Sequence, residues 1–415
     1  MKIRPVMGSG RSRRAWIGVG TLALLTPAVL AVGATTVGAT GRGDHGNGGV
    51  AAITLDATTP TDHNFGYNDF FPRDGVRIHS GDVLDFGWAQ NPDGLHNVAV
   101  LKTGTSADQG WAQYPTVVPD DDGVGSLQLN PIANLGNHAP AGSGAPGACG
   151  DAATPCVYDG TSDVIDGANA TDGLHHFEVK VTAAPGAEIS FICLIHPGMS
   201  GSVKVVADDH RVTTAREVQH LTGSQLLHDT IGAFKAERAA DHKQVTKQAD
   251  GTRLVTLSAG ATAGHVELLE MLPRNVHLRP GDQAQWQYTA GDEIHTVTFP
   301  DDTDQGEPLV PACENTPVDD PFVPPVAGPP CGDPSKFELH VFPQPFGATT
   351  ITDPTTFGSS GLIAAPGGPT PSTTPVYTFP NSGTFTYFCH IHDHMSGTIQ
   401  VGQHDRQDHH DHHDD

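Results

Sequence analysis

The sequence predicts an all-β protein, built as two tandem antiparallel β-sandwich domains joined by a partly helical linker. Three observations carry this expectation. Among 415 residues there are 49 Gly and 33 Pro, a load of turn formers that argues against coiled coils and suits many short strands. Apolar residues alternate with period two between turn clusters, as at Phe177, Val179 and Val181. One set of motifs also occurs twice, in the same order, about 200 residues apart. The net charge of −25 argues against a nucleic-acid partner, which requires a basic footprint. Histidine is the anomaly, with 24 His against 22 Lys plus Arg.

Residues 1–40 read as a signal peptide. Lys2, Arg4, Arg11, Arg13 and Arg14 precede an apolar run from Ala15, and small residues follow at Gly33, Ala34, Gly38 and Ala39. The stretch Ser12-Arg13-Arg14-Ala15-Trp16-Ile17 resembles a twin-arginine export signal. An uncleaved membrane anchor is the alternative, because the run approaches spanning length. The expected location is outside the cytoplasm: periplasmic, cell-surface or extracellular. No other membrane attachment is expected.

The two domains are expected at 50–207 and 250–402. The first carries Val76-Arg77-Ile78-His79-Ser80-Gly81-Asp82 and then Leu95-His96-Asn97-Val98; the second carries Val276-His277-Leu278-Arg279-Pro280-Gly281-Asp282 and then Ile294-His295-Thr296-Val297. Further on, Phe191-Ile192-Cys193-Leu194-Ile195-His196-Pro197-Gly198-Met199 is matched by Phe388-Cys389-His390-Ile391-His392-Asp393-His394-Met395. Between the copies, in the linker 208–249, Leu227, Ile231 and Phe234 fall at helical spacing and predict an amphipathic helix packed on a sandwich. The tail 403–415 is His and Asp with nothing apolar to bury, and is expected to be disordered.

Of six cysteines, Cys149 and Cys156 flank a Gly/Pro-rich excursion in copy one, and Cys313 and Cys331 do so in copy two. Each pair is a candidate disulfide closing a loop that lacks its own core, against free thiols or crossed pairings. One cysteine per copy remains, inside a loop reading Cys-x-x-His-x-x-Met, with a further His upstream. A thiolate, two imidazoles and a thioether form a soft, mixed donor set that points to mononuclear blue copper. Zinc more often takes Cys/His tetrahedra without methionine.

These motifs resemble the cupredoxins, the plastocyanin and azurin group of blue copper proteins, across both repeats, and the tight Cys-x2-His-x2-Met loop looks most like that of the amicyanins. The resemblance implies two Greek-key β-sandwiches and one type 1 copper in each, two per chain. It carries ligand roles to His96, Cys193, His196 and Met199 in copy one and to His295, Cys389, His392 and Met395 in copy two. It implies that the loop histidines His196 and His392 present an edge to solvent and pass the electron. It also implies that Asn97 ties the two ligand loops together, so Thr296 at that place predicts a looser or shifted second site.

Related two-domain copper oxidases and nitrite reductases need additional histidines. His390 and His394 are the candidates, as accessory metal ligands or as solvent-facing polar residues; Phe388 and Ile399 stand where an oxidase motif would place ligands. His175-His176 reads as an exposed strand end, and the sequon Asn169-Ala170-Thr171 carries no weight by itself. The expected function is one-electron transfer between a redox protein donor and acceptor, without catalysis. The alternatives are extracytoplasmic copper buffering or delivery, with the His/Asp tail collecting metal, and a two-domain copper oxidase or nitrite reductase.

Overall fold

The Gly-Asp turn that recurs in the sequence explains how each sandwich begins. In a computed structural model of the chain, Gly81 and Gly281 adopt φ of 101° and 89°, a left-handed conformation open to glycine. The next residue then ties the turn to the first strand. Asp82 accepts from the backbone N–H of Gly49 at 2.5 Å and of His79 at 2.7 Å. Asp282 accepts from the N–H of Arg253 at 3.0 Å and of Arg279 at 2.8 Å. Residues 49–55, 63–88, 96–119, 127–139, 141–167, 176–301, 309–313, 337–366, 374–392 and 394–402 are described. The expectations for residues 1–40, Asn169, His175, Cys331 and the tail 403–415 lie outside them.

Copy one is a two-sheet sandwich. One sheet runs Phe70–Phe71, Val50–Leu55, Val83–Trp88, His176–Val181, Cys156–Tyr158; the other runs Val164–Ile165, Ala99–Val100, Glu188–Ile192, Ser200–Val206, Val76–His79. Between them lie Phe70, Phe86, Phe177 and Phe191, all buried. Copy two repeats the plan. Arg253–Ala263, Gln283–Gln287 and Tyr377–Thr378 face Asn275–Leu278, Ser396–Val401, Gly383–Phe388 and Thr298–Phe299, around a core centred on Trp286, Phe299, Tyr377 and Tyr387. The sheets are mixed rather than purely antiparallel. Val50–Leu55 runs parallel to Val83–Trp88, and Val76–His79 parallel to Ser200–Val206; the same two parallel pairs recur in copy two.

The copies share structure as well as a plan. Phe65–Tyr67, from the first half, pairs with Val266–Leu272 and extends the sheet of copy two. Leu127–Leu129 pairs with Phe337–Val341, so the two long excursions build one four-stranded sheet. These shared strands and the side chains they carry hold the two sandwiches in one compact unit.

The linker carries one helix, Ala215–Ala240, opened by a capping box in which Thr214 and Glu217 satisfy each other's backbone N–H, and a strand, Gln244–Lys247, that pairs with Arg253–Ala263. The buried face of the helix differs from the expected one. Leu227, Ile231 and Phe234 are 58%, 47% and 40% exposed. The helix packs instead through Val218, Leu226, Asp229, Thr230 and Ala233, which follow the same periodicity rotated around the axis; of the expected three, Phe234 still meets the Phe65 and His63 rings, at 5.4 and 4.8 Å. The reason is a buried polar anchor: both oxygens of Asp229 face the guanidinium of Arg73 at 3.0–3.2 Å, and Arg73 also pairs with buried Asp69. Removing Asp229 leaves Arg73 paired with Asp69 but deprives the guanidinium of its other charged acceptor. Asp229→Ala is therefore expected to lower unfolding stability by about 1–3 kcal/mol, read from the denaturant midpoint, whereas Leu227→Ala should change it little.

Candidate metal centres

Each centre is built on the end of one strand and the tight loop after it. Cys193 follows Glu188–Ile192, and its N–H donates to the carbonyl of Met199 at 3.0 Å while Met199 N–H donates to the carbonyl of His196 at 3.1 Å. In copy two the same two bonds join Cys389 to Met395 at 2.8 Å and Met395 to His392 at 3.3 Å. The bend requires a left-handed residue: Gly198 in copy one at φ 106°, His394 in copy two at φ 63°. The glycine two residues after each methionine is a packing requirement. A Cβ on Gly201 would stand 2.3 Å from the Phe191 ring, and one on Gly397 2.4 Å from the Tyr387 ring.

The loops bring the expected donors together. His96, Cys193 and His196 form one trio and His295, Cys389 and His392 the other, with all ligand atoms of a trio within 4.8 Å of one another. Cys193 Sγ lies 3.5 Å from His196 Nδ1, and the His96 and His196 rings are 4.7 Å apart. Cys389 Sγ lies 3.6 Å from His392 Nδ1, and His295 Nδ1 is 3.2 Å from His392 Nδ1. Met199 and Met395 are buried in the same apolar clusters as their cysteines.

Burial pushes both thiols up. The charges and hydrogen bonds of His196 and His96 at Cys193, and of His295 and His392 at Cys389, outweigh it and hold both well below the ordinary thiol range. A buried thiolate facing two imidazole nitrogens suits a soft ion that displaces the intervening proton. The donor set therefore fits copper.

The tie expected of Asn97 has a counterpart in the second copy. Asn97 Oδ1 accepts from Leu194 N–H at 2.7 Å, and Thr296 Oγ1 accepts from the equivalent His390 N–H at 2.8 Å. A hydroxyl oxygen accepts here in place of an amide oxygen, so the loops are tied in both copies; Asn97 adds a second bond, from Nδ2 to the carbonyl of Ala133 at 2.9 Å. Cys389 Sγ further receives the N–H of Thr296 and of Ile391, each at 3.4 Å.

The loop histidines are the larger correction. His196 and His392 do not present an edge to solvent; their side chains are only 11% and 10% exposed. Each turns its Nε2 to the same carboxylate, Glu293, with His196 Nε2 3.4 Å from Oε1 and His392 Nε2 3.3 Å from Oε2. Asn68 Nδ2 also donates to Glu293 Oε1, at 2.5 Å. The cause is the docking of the two sandwiches: Gly198 sits so close to Asp292 that a Cβ would stand 2.0 Å from its Oδ2. Neither Glu293 nor Asn68 stood out in the sequence, since a polar residue two positions before a ligand is ordinary until the opposing domain covers it. The half-buried Trp111, also unforeseen, donates from Nε1 to the carbonyl of Cys193 at 2.8 Å.

His390 and His394 join neither trio. His390 packs on the Phe388 ring at 4.4 Å, and His394 is exposed. His176 pairs with Asp85 at 2.8 Å rather than with a metal-binding group. Cys149 and Cys156 form a disulfide; the pairing of Cys313 with Cys331 lies outside the described residues.

Behind the second centre, Tyr288 stands edge-on to the His295 ring at 4.6 Å and donates its hydroxyl to Glu267 Oε2 at 2.5 Å. Burial, which outweighs the Tyr288 hydrogen bond, pushes the Glu267 carboxyl up to about 8. The unfolded chain ionises this group near its ordinary value, so stability on its account is full below that value and is lost as pH rises towards 8. Glu267→Gln should flatten this fall, and the metal-free variant should gain on the wild type in thermal midpoint between pH 5 and pH 8.

No known family profile matches the chain, and no curated protein matches it either. Solved structures similar to part of it include amicyanins. An oxidised mutant amicyanin is 14% identical, with 39% of this chain and 98% of that chain covered and a TM-score of 0.18. A reduced Cu(I) form of another amicyanin mutant is 16% identical over 39% of this chain and 93% of its own, TM-score 0.15. Amicyanin from Paracoccus versutus is 13% identical over 39% and 92%, TM-score 0.15.

Proposed function

We propose that the chain binds one copper ion in each sandwich and serves one-electron transfer. His96, Cys193, His196 and Met199 hold the first ion; His295, Cys389, His392 and Met395 hold the second. The observation that carries this reading is the twofold convergence of a buried thiolate on two imidazoles, each beside a buried methionine. Copper bound there supplies a Cu(II)/Cu(I) couple. The chain's own work is to keep the donors fixed and dry: the Asn97 and Thr296 ties lock the loops, and the surrounding core excludes water. Because His196 and His392 face Glu293 rather than solvent, redox protein partners approach by another face. The Cys149–Cys156 disulfide favours an exported protein, and with His390 and His394 outside both trios the reading is a carrier rather than an oxidase.

The test is metal analysis with visible absorption on the copper-loaded chain. Two copper ions per chain and an intense thiolate-to-copper band are expected. A colourless two-copper protein, or one that loads metal without Cys193 and Cys389, overturns the reading in favour of buffering. Oxygen consumption with more than two coppers per chain would make it an oxidase.

A further inference from the structure

We propose that Glu293 is a single carboxylate shared by both metal centres, and that it fixes the ring tautomer of the two loop histidines at once. The inference rests on the reading that the two trios hold copper. Its geometry is independent of that reading: a buried glutamate whose two oxygens face the Nε2 atoms of His196 and His392, at 3.4 and 3.3 Å, from opposite sandwiches.

A histidine that ligates through Nδ1 must leave Nδ1 free of its proton, which then resides on Nε2. A ligating histidine commonly donates that N–H to an outer acceptor, most often a carboxylate or a carbonyl. Here both imidazoles turn Nδ1 to their own cysteine, at 3.5 and 3.6 Å, and Nε2 to one carboxylate. A carboxylate accepts at two oxygens and donates at neither, so it meets both demands together. Asn68 Nδ2 donates to the same group and holds its plane from the side of copy one. Copy one thus supplies His196 and Asn68, and copy two supplies His392 and Glu293. The first centre takes its outer carboxylate from the other sandwich, and the second shares that carboxylate with it. Glu293 is a positioning residue in both.

Glu293→Gln distinguishes this role from simple packing. The amide has nearly the same shape, but it offers one acceptor oxygen and one donor nitrogen. It can receive Nε2–H from one ring only. The other ring must accept at Nε2, which returns its proton to Nδ1, the atom facing the thiolate. The experiment titrates the full chain with chelator-buffered copper(I) and records the imidazole N–H signals of the diamagnetic product by NMR.

In the wild type two sites fill, and two Nε2–H protons, from His196 and His392, resist solvent exchange. In Glu293→Gln one site keeps its affinity, the other weakens by about 10–100-fold, and one protected ring proton is lost. Two sites of unchanged affinity in the variant would overturn the shared-carboxylate role while leaving the copper reading intact. Fewer than two copper(I) ions on the wild type would overturn both. Should the variant not fold, the wild-type spectrum decides alone: freely exchanging ring protons on the two-copper chain sink the proposal.

Discussion

Cys193→Ser is expected to leave a chain that binds one copper ion and loses one of its two thiolate-to-copper bands, and Cys389→Ser is expected to do the same at the other centre. The loss should exceed the roughly 10–100-fold in metal affinity that typically follows from removing an outer-shell partner. The reason is chemical rather than steric. A serine hydroxyl stays protonated where the cysteine thiol is held well below its ordinary range by the imidazoles around it, and a hard oxygen replaces a soft sulfur. The side chains are similar in size, so the metal-free fold should survive, with a thermal midpoint close to the wild type. Metal content and absorption of the two single variants and the double variant check this. Retention of both bands in either single variant would remove that cysteine from the metal site.

Gly260→Ala should abolish the second centre while sparing the first. The strand Arg253–Ala263 changes register against its neighbour between Ala259 and Ala261, and at this bulge Gly260 takes φ of 81°. A Cβ there would stand 2.4 Å from His295 Nε2 and 2.9 Å from its Cε1. His295 is fully buried and has Tyr288 edge-on to its ring, so the imidazole has nowhere to retreat without leaving Cys389. Gly264→Ala is the control, because Gly264 has φ of 70° with nothing within 4 Å of an added Cβ. Both variants carry the left-handed backbone cost of about 1–2 kcal/mol. Only Gly260→Ala should lose a copper. Equal metal content in the two would show that the backbone of this bulge does not hold His295 in place.

The Cys-x-x-His pairs were legible because their spacing is local, whereas His96 and His295, more than 90 residues upstream, were legible because they sit at the same place in both copies. The Gly-Asp turns were legible for the same reason, since the carboxylates of Asp82 and Asp282 reach backbone close by in sequence, at His79 and Arg279. The helix Ala215–Ala240 was foreseen from its period, but not its phase. Leu227 and Ile231 point away from the packed face because Arg73, more than 150 residues earlier, pulls Asp229 inward. Thr296 differs from Asn97 in residue type, yet both present an oxygen to the equivalent backbone N–H. Asn68, Glu293 and Trp111 acquire their roles only through neighbours distant in the chain.

From the order of residues alone came the all-β class and the two groups of one cysteine and two histidines that the fold brings together, for these rest on alternation along strands and on motifs that recur. Only the tertiary structure decided that strand Phe65–Tyr67 crosses into the second sandwich, that the helix turns its polar anchor inward, and that His196 and His392 meet at Glu293 instead of facing water. The physical reason is that burial is set by the partner surface. A histidine edge is a port when solvent covers it and part of a buried imidazole–carboxylate bridge when another domain does, and no pattern within one loop specifies which.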